Sequence, residues 1–171
     1  MIKYVNAIKK LDYIKSLKTY THIELMKVAL REANKALRYN DVPIGAVVSF
    51  NGQIISKAHN QVERYNNTLF HAEYLAINKA IKKLGYKNLN TCNLYVTLEP
   101  CSMCAGAIVL ARLKNLYFGT SDFKAGACGG LINIIENKEL NHQIKVYPDI
   151  LKEESSYIIK KFFKEIRLNG K

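Results

Sequence analysis

Residues 93–112 read NLYVTLEPCSMCAGAIVLAR. The stretch NLYVTL is rich in apolar and β-branched residues, as in a strand buried on both faces. A helix is predicted from Pro100 to Arg112, with proline at its start, where a missing N–H costs least. A strand running straight into a helix implies a sheet covered by helices. In such sheets, sites form outside the strand ends where helices begin. Cys101 and Cys104 fall at that place. Three residues apart, they share a helix face, and the first-turn dipole favours their thiolates.

A second stretch, FHAEYL at 70–75, opens another predicted helix. Its stripe is Ala72, Leu75, Ala76, Ala80, Ile81 and Leu84, with Gly85 placed as a C-cap. His71 lies at the N-terminus of this helix. A C-x-x-C pair alone suits a redox couple or half of a zinc ribbon. An upstream His-x-Glu and a proline directly before the first cysteine narrow the reading to one site. Two thiolates and an imidazole suit Zn²⁺ better than Mg²⁺ or Ca²⁺. Structural zinc takes four protein ligands, whereas catalytic zinc takes three and leaves a position for water. Cys92 and Cys128 are candidates for a fourth ligand. Neither sits in a second C-x-x-C, so His71, Cys101 and Cys104 with water form the simpler set. Glu73, two residues past His71, then has a part to play. Zinc brings a water's pKa to about 7, and a neighbouring carboxylate can take and pass on its proton.

The rest of the chain supplies the frame. Residues 22–39 carry a helical stripe at Met26, Ala29, Leu30, Ala33 and Leu37, broken by Asp41 and Pro43. GAVVSF and QIISKA flank Asn51-Gly52, a two-residue hairpin signal. NLYFG at 115–119 reads as a strand, KAGACGG at 124–130 as a loop, and 131–137 as a short helix. QIKVY at 143–147 reads as a strand, and a closing helix runs from about Leu151 to Arg167. This order predicts a mixed sheet with helices on both faces. Residues 22–171 are expected to form one domain, behind an N-terminal extension, 1–21. His22, His59 and His142 have no sequence partner and read as surface or satisfied core residues. Glu99 reads as a structural residue ending its strand, and Cys92 and Cys128 as small apolar fillers.

The 171-residue chain, 49% hydrophobic and 23% charged, has an ordinary globular composition. No apolar run approaches the ~18 residues of a membrane span. The first twenty residues lack the features of a signal peptide, and Asp12 and the preference for Lys over Arg are unlike a transit peptide. Four cysteines without a secretion signal point to metal or redox use in reducing cytoplasm. A net charge of +12 favours a polyanionic partner, although such lysines also simply solvate a surface.

HAE at 71–73 with PCSMC at 100–104 is similar to the signature of the zinc-dependent cytidine and adenosine deaminases. Within them the chain resembles the tRNA-specific adenosine deaminases over about 22–167. The resemblance rests on DVPIGAVV (41–48), HAE, LYVTLEPCSMCAGAIVLAR (94–112), YFGTSDFKAGACGG (117–130) and NHQIKVYPDILKEESSYIIKKFFKEIR (141–167). It implies a three-layer α/β/α cytidine-deaminase-like fold on a five-stranded mixed sheet. It implies one Zn²⁺ per subunit on His71, Cys101 and Cys104, with Glu73 as proton shuttle. Asn60 matches an asparagine that contacts the bound nucleoside, and Asp122 an acidic residue near the anticodon-loop backbone. The implied reaction is hydrolysis of adenosine to inosine at the wobble position of a tRNA anticodon, by a cytoplasmic homodimer. The target base must leave its stack, which is easier in a loop.

The chain departs from the family in places. NTLF at 67–70 stands where Asp-Pro-Thr-Ala is frequent, which puts the bulky Phe70 beside His71. Gly130 replaces a common serine, and the N-terminal extension has no matching counterpart. The alternatives are a deaminase of a free base or nucleotide, such as guanine or deoxycytidylate, and a catalytically silent zinc- and RNA-binding subunit.

Overall fold

The computed structural model describes residues 18–170, so the expected N-terminal extension lies, up to residue 17, outside the described residues. Five strands form one sheet: β1 (Gly45–Phe50), β2 (Gln53–His59), β3 (Cys92–Leu98), β4 (Asn115–Thr120) and β5 (Lys145–Tyr147), in the order β2-β1-β3-β4-β5. β1 runs antiparallel to β2 and β3, while β3, β4 and β5 are mutually parallel. The mixed sheet expected from the sequence is therefore present. Asn51 and Gly52 both take positive φ, 47° and 75°, as a tight hairpin turn requires.

Strand alternation decides which helix covers which face. Val47, Tyr95 and Tyr117 pack with Leu25, Met26, Val28 and Ala29 of α1 (His22–Ala36). Ala46, Val48, Leu94, Val96, Leu116 and Phe118 face the other way. They pack with the buried sides of α3 (Ala72–Leu84) and α4 (Ser102–Leu110). α5 (Lys152–Leu168) lies against β4 on the α1 side, where Gly119 faces Ser155. Helices on both faces of one sheet give the three-layer architecture.

Two glycines allow the helices to come this close. A Cβ at Gly45 would lie 2.0 Å from the Ala29 carbonyl oxygen, and one at Gly119 would lie 2.1 Å from Ser155 Oγ. α1 starts with a capping box, Thr21 Oγ1 accepting from Glu24 N while Glu24 accepts from Thr21 N. Across the sheet, Tyr95, Tyr117 and Tyr147 occupy equivalent register positions. Their rings stack with centroids 4.6 Å apart at each step. His22 lies on Tyr117 and its Nδ1 is 2.7 Å from Tyr95 Oη.

The structure differs from the sequence expectation in several elements. Residues 131–137 are not helical. Cys128 bridges Asn133, Gly129 N donates to Ile132 O, and Ile134 N donates to Ala127 O, so backbone groups a helix would use internally are bound to the preceding loop. α4 starts at Ser102 with Cys101 as N-cap, because Cys101 is held extended by a bridge to Gly126. β5 begins at Lys145 instead of Gln143, whose amide donates to the carbonyls of Asn137 and Leu140. The stripe at 22–39 ends as α-helix at Ala36 and continues as a 3₁₀ turn to Tyr39. A short helix without apolar period, α2 (Val62–Tyr65), is also present; the Asp41 carboxylate accepts from Glu63 N and Arg64 N at its start.

Candidate active site

The two halves of the sequence motif meet at two helix starts. His71 is the N-cap of α3 and Cys101 the N-cap of α4, with Cys104 in the first turn of α4. His71 Nδ1 lies 3.5 Å from Cys101 Sγ and 3.6 Å from Cys104 Sγ, and the ligand atoms of all three lie within 4.8 Å of one another. Protons are shared unequally in this group. The hydrogen bond with Cys104, helped by His71, draws the Cys101 thiol down to about 4. The contact with Cys101, together with burial, pushes Cys104 up. The hydrogen bond to Cys101 raises the His71 imidazole against the opposing effect of burial. Two soft sulfur donors and an imidazole, one donor already favouring its thiolate, could hold a borderline-soft divalent cation.

Glu73 lies on the first turn of α3 and is 3% exposed. Burial pushes its carboxyl up to about 7, and its Oε2 has no hydrogen-bond partner. A buried carboxylate oxygen left unpaired carries a desolvation cost that a bound ligand or water would relieve. His71, Glu73 and Cys101 line a cleft of about 920 Å³.

Asn60, at the end of β2, lines the same cleft. His71 offers α3 no side-chain cap. Instead, Asn60 Oδ1 accepts from Ala72 N at 2.9 Å. Asp122 also lines the cleft, and its Oδ1 accepts from Lys124 N and Ala125 N, which closes a turn. The structure thus brings five of the six candidate residues to one cavity, and Cys104, fully buried, stands behind its wall with His71 and Cys101. Phe70 is half-buried and packs edge-on against Tyr65, their centroids 5.8 Å apart.

The other residues singled out in the sequence have local roles. Cys92 is buried in the core, which pushes its thiol up to about 11, and burial likewise raises Cys128. His22 has the tyrosine contacts described above, and His142 Nε2 donates to Leu113 O at 2.7 Å. His59 is different: its buried ring nitrogens lack a hydrogen bond, and Nδ1 stands 3.5 Å from Glu32 Oε2.

Two features of the site lie outside the sequence reading, the loop partners of Glu99 and a wall supplied by α5. Glu99 is 3% exposed, and its carboxylate accepts from the backbone N–H groups of Asp122, Cys128 and Gly130. Ser156, Ile159, Lys160, Phe163 and Arg167 of α5 form the far wall of the cleft. Their spacing of three and four marks a single helical face, and that signal was readable in the sequence.

The chain is similar to known deaminases over most of its length. The MafB19-like deaminase family matches residues 20–167. The tRNA-specific adenosine deaminase of Bacillus subtilis (strain 168) is 46% identical over 146 residues, covering 85% of this chain and 91% of that protein. The tRNA-specific adenosine deaminase of Aquifex aeolicus (strain VF5) is 46% identical, covering 84% and 95%. A chain solved in studies of A-to-I editing by tRNA:A34 deaminases at the wobble position of transfer RNA superposes with a TM-score of 0.74 at 38% identity, covering 79% of this chain and 98% of that one.

Proposed function

We propose, for a chain that belongs to the family of tRNA-specific adenosine deaminases, that it converts adenosine to inosine at the wobble position of a tRNA anticodon. The observation that carries this reading is the junction of His71, Cys101 and Cys104 beside the unpaired Glu73 oxygen in one cleft.

The donor set fits one Zn²⁺ per subunit on His71, Cys101 and Cys104. Bound there, the ion would supply Lewis-acid activation of a water at neutral pH. The protein groups do the rest. Glu73, whose carboxyl is raised to about 7, exchanges a proton where the reaction needs it. It takes the proton released as the water oxygen bonds to C6 of adenine and delivers it to N1. It then takes the proton of the new C6 hydroxyl and gives it to the exocyclic nitrogen as the C6–N bond breaks, so that a C6 carbonyl forms and ammonia leaves. Asn60 has its oxygen committed to Ala72, which leaves its amide N–H₂ as a donor toward the nucleoside. Asp122, Lys124, Lys160 and Arg167 on the cleft wall serve the RNA strand around the flipped base, with Lys160 and Arg167 facing phosphate.

Residues 22–171 act as a single deaminase domain in this reading, and the working form is a cytoplasmic homodimer, as the family resemblance implies. No helix among the described residues is long and apolar enough to cross a membrane. The deciding experiment is sequencing of tRNA before and after incubation with the enzyme. Adenosine at the wobble position should read as guanosine afterwards. Release of ammonia from guanine or deoxycytidylate, with tRNA unchanged, would replace this reading by a small-molecule deaminase.

A further inference from the structure

We infer that Glu99 is a positioning residue that locks the substrate-facing loop onto the helix bearing the cysteines, and so sets where the RNA strand lies relative to the reacting base. The inference deepens the function proposed above and rests on it. Glu99 follows the last residue of β3 and stands two residues before Cys101. Both of its oxygens are engaged by backbone N–H groups of one later loop. Oε2 accepts from Asp122 at 2.9 Å, and Oε1 accepts from Cys128 and Gly130 at 2.8 Å each. Three convergent N–H donors are what a buried carboxylate needs in place of water.

The loop closes directly on this carboxylate. A Cβ at Gly126 would lie 2.5 Å from Glu99 Cδ, and one at Gly130 would lie 2.3 Å from Glu99 Oε2. The same loop is tied to the cysteine segment by Ala127 N donating to Pro100 O at 2.8 Å and by the Cys101–Gly126 bridge. Its leading residues, from Ser121 to Ala125, line the cleft. The loop and Cys101 are thereby held as one body, with Glu99 as the fastening between them. Glu99 borders the cleft, but three of the roughly four accepting positions of its carboxylate are taken by the loop, which assigns it to positioning. Glutamine could not replace it: its single oxygen cannot serve three donors on both sides, and its N–H₂ would confront a backbone N–H.

The test uses the full-length, zinc-loaded enzyme, with wild type measured in parallel. Glu99→Gln should keep stoichiometric zinc by elemental analysis. It should raise KM for tRNA about tenfold or more, the size of one lost charge-assisted hydrogen bond, while kcat stays within about threefold. Hydrogen–deuterium exchange of peptides spanning 120–130 should accelerate. An unchanged KM with unchanged exchange, or loss of zinc, overturns the inference. If Glu99→Gln is insoluble, Gly126→Ala, whose Cβ would lie 2.5 Å from Glu99 Cδ, perturbs the same carboxylate from the loop side and decides in its place. It should show the same KM rise and faster exchange with zinc retained, and wild-type values for both would overturn the inference. If wild type itself makes no inosine in tRNA, the proposed function fails, and exchange in the loop still decides whether Glu99 holds it.

Discussion

Asn60 Oδ1 accepts a hydrogen bond from Ala72 N, so a residue at the end of β2 caps the helix that presents His71 and Glu73. The side chain holds α3 with its oxygen, and under the proposed function its N–H₂ is offered to the nucleoside. The duties separate by mutation. Asn60→Ala should lose about 1 kcal/mol of stability in urea unfolding as well as activity. Asn60→Asp keeps the acceptor at a helix N-terminus, where negative charge is favoured. It should keep most of the stability and lose kcat/KM. Equal stability of Asn60→Ala and wild type would remove the capping role.

Glu73→Ala should abolish turnover, since proton transfer contributes about 10²–10⁴-fold. Zinc content and fold should persist, because Glu73 makes no hydrogen bond through Oε2 that the fold needs. Activity above about a thousandth of wild type would contradict its role as shuttle.

Cys101→Ala should lose both metal and activity. Elemental analysis is the check: stoichiometric zinc in that variant would refute the ligand assignment.

Affinity for tRNA should fall steeply between low and physiological salt if several of the lysines meet phosphates. The net charge of +12 makes this a sharp test. A flat response would mean that the charge only solvates the surface.

Glu32 provides a pH test remote from the cleft. Its Oε1 is 2.8 Å from Lys35 Nζ and 3.2 Å from Lys57 Nζ. Burial raises the carboxyl, but hydrogen bonds from the two lysines outweigh it and hold the pKa below the usual carboxylate value. A depressed folded pKa stabilises the protein above the unfolded value of about 4.3, and that contribution is lost as pH falls through the folded value. Glu32→Gln should therefore lower stability by about 1 kcal/mol at pH 7. The gap to wild type should shrink toward pH 3. A gap independent of pH would show that the carboxylate's charge contributes nothing.

Much of the site was legible because its chemistry lies in short motifs at element starts. His71, Glu73, Cys101 and Cys104 sit where strand-to-helix transitions are easily read. Glu99 reads as a strand end, and that is where it stands, but its partners lie 23 to 31 residues later, beyond any local pattern. The helix expected at 131–137 failed for a related reason: its backbone partners lie in the preceding loop. α2 gives no periodic signal because a distant carboxylate, Asp41, holds it. Long-range polar contacts of this kind leave no spacing in the sequence.

The stacked tyrosines have a bearing on assembly of the sheet. A slip of β4 by one residue along β3 would set Leu116 or Phe118 opposite Tyr95 and turn Tyr117 to the wrong side. The column of rings thus penalises mispairing of these strands. It keeps Leu98 level with Thr120, so the cysteine segment and the Asp122 turn emerge side by side. Three rings far from the chemistry act as an alignment gauge for it.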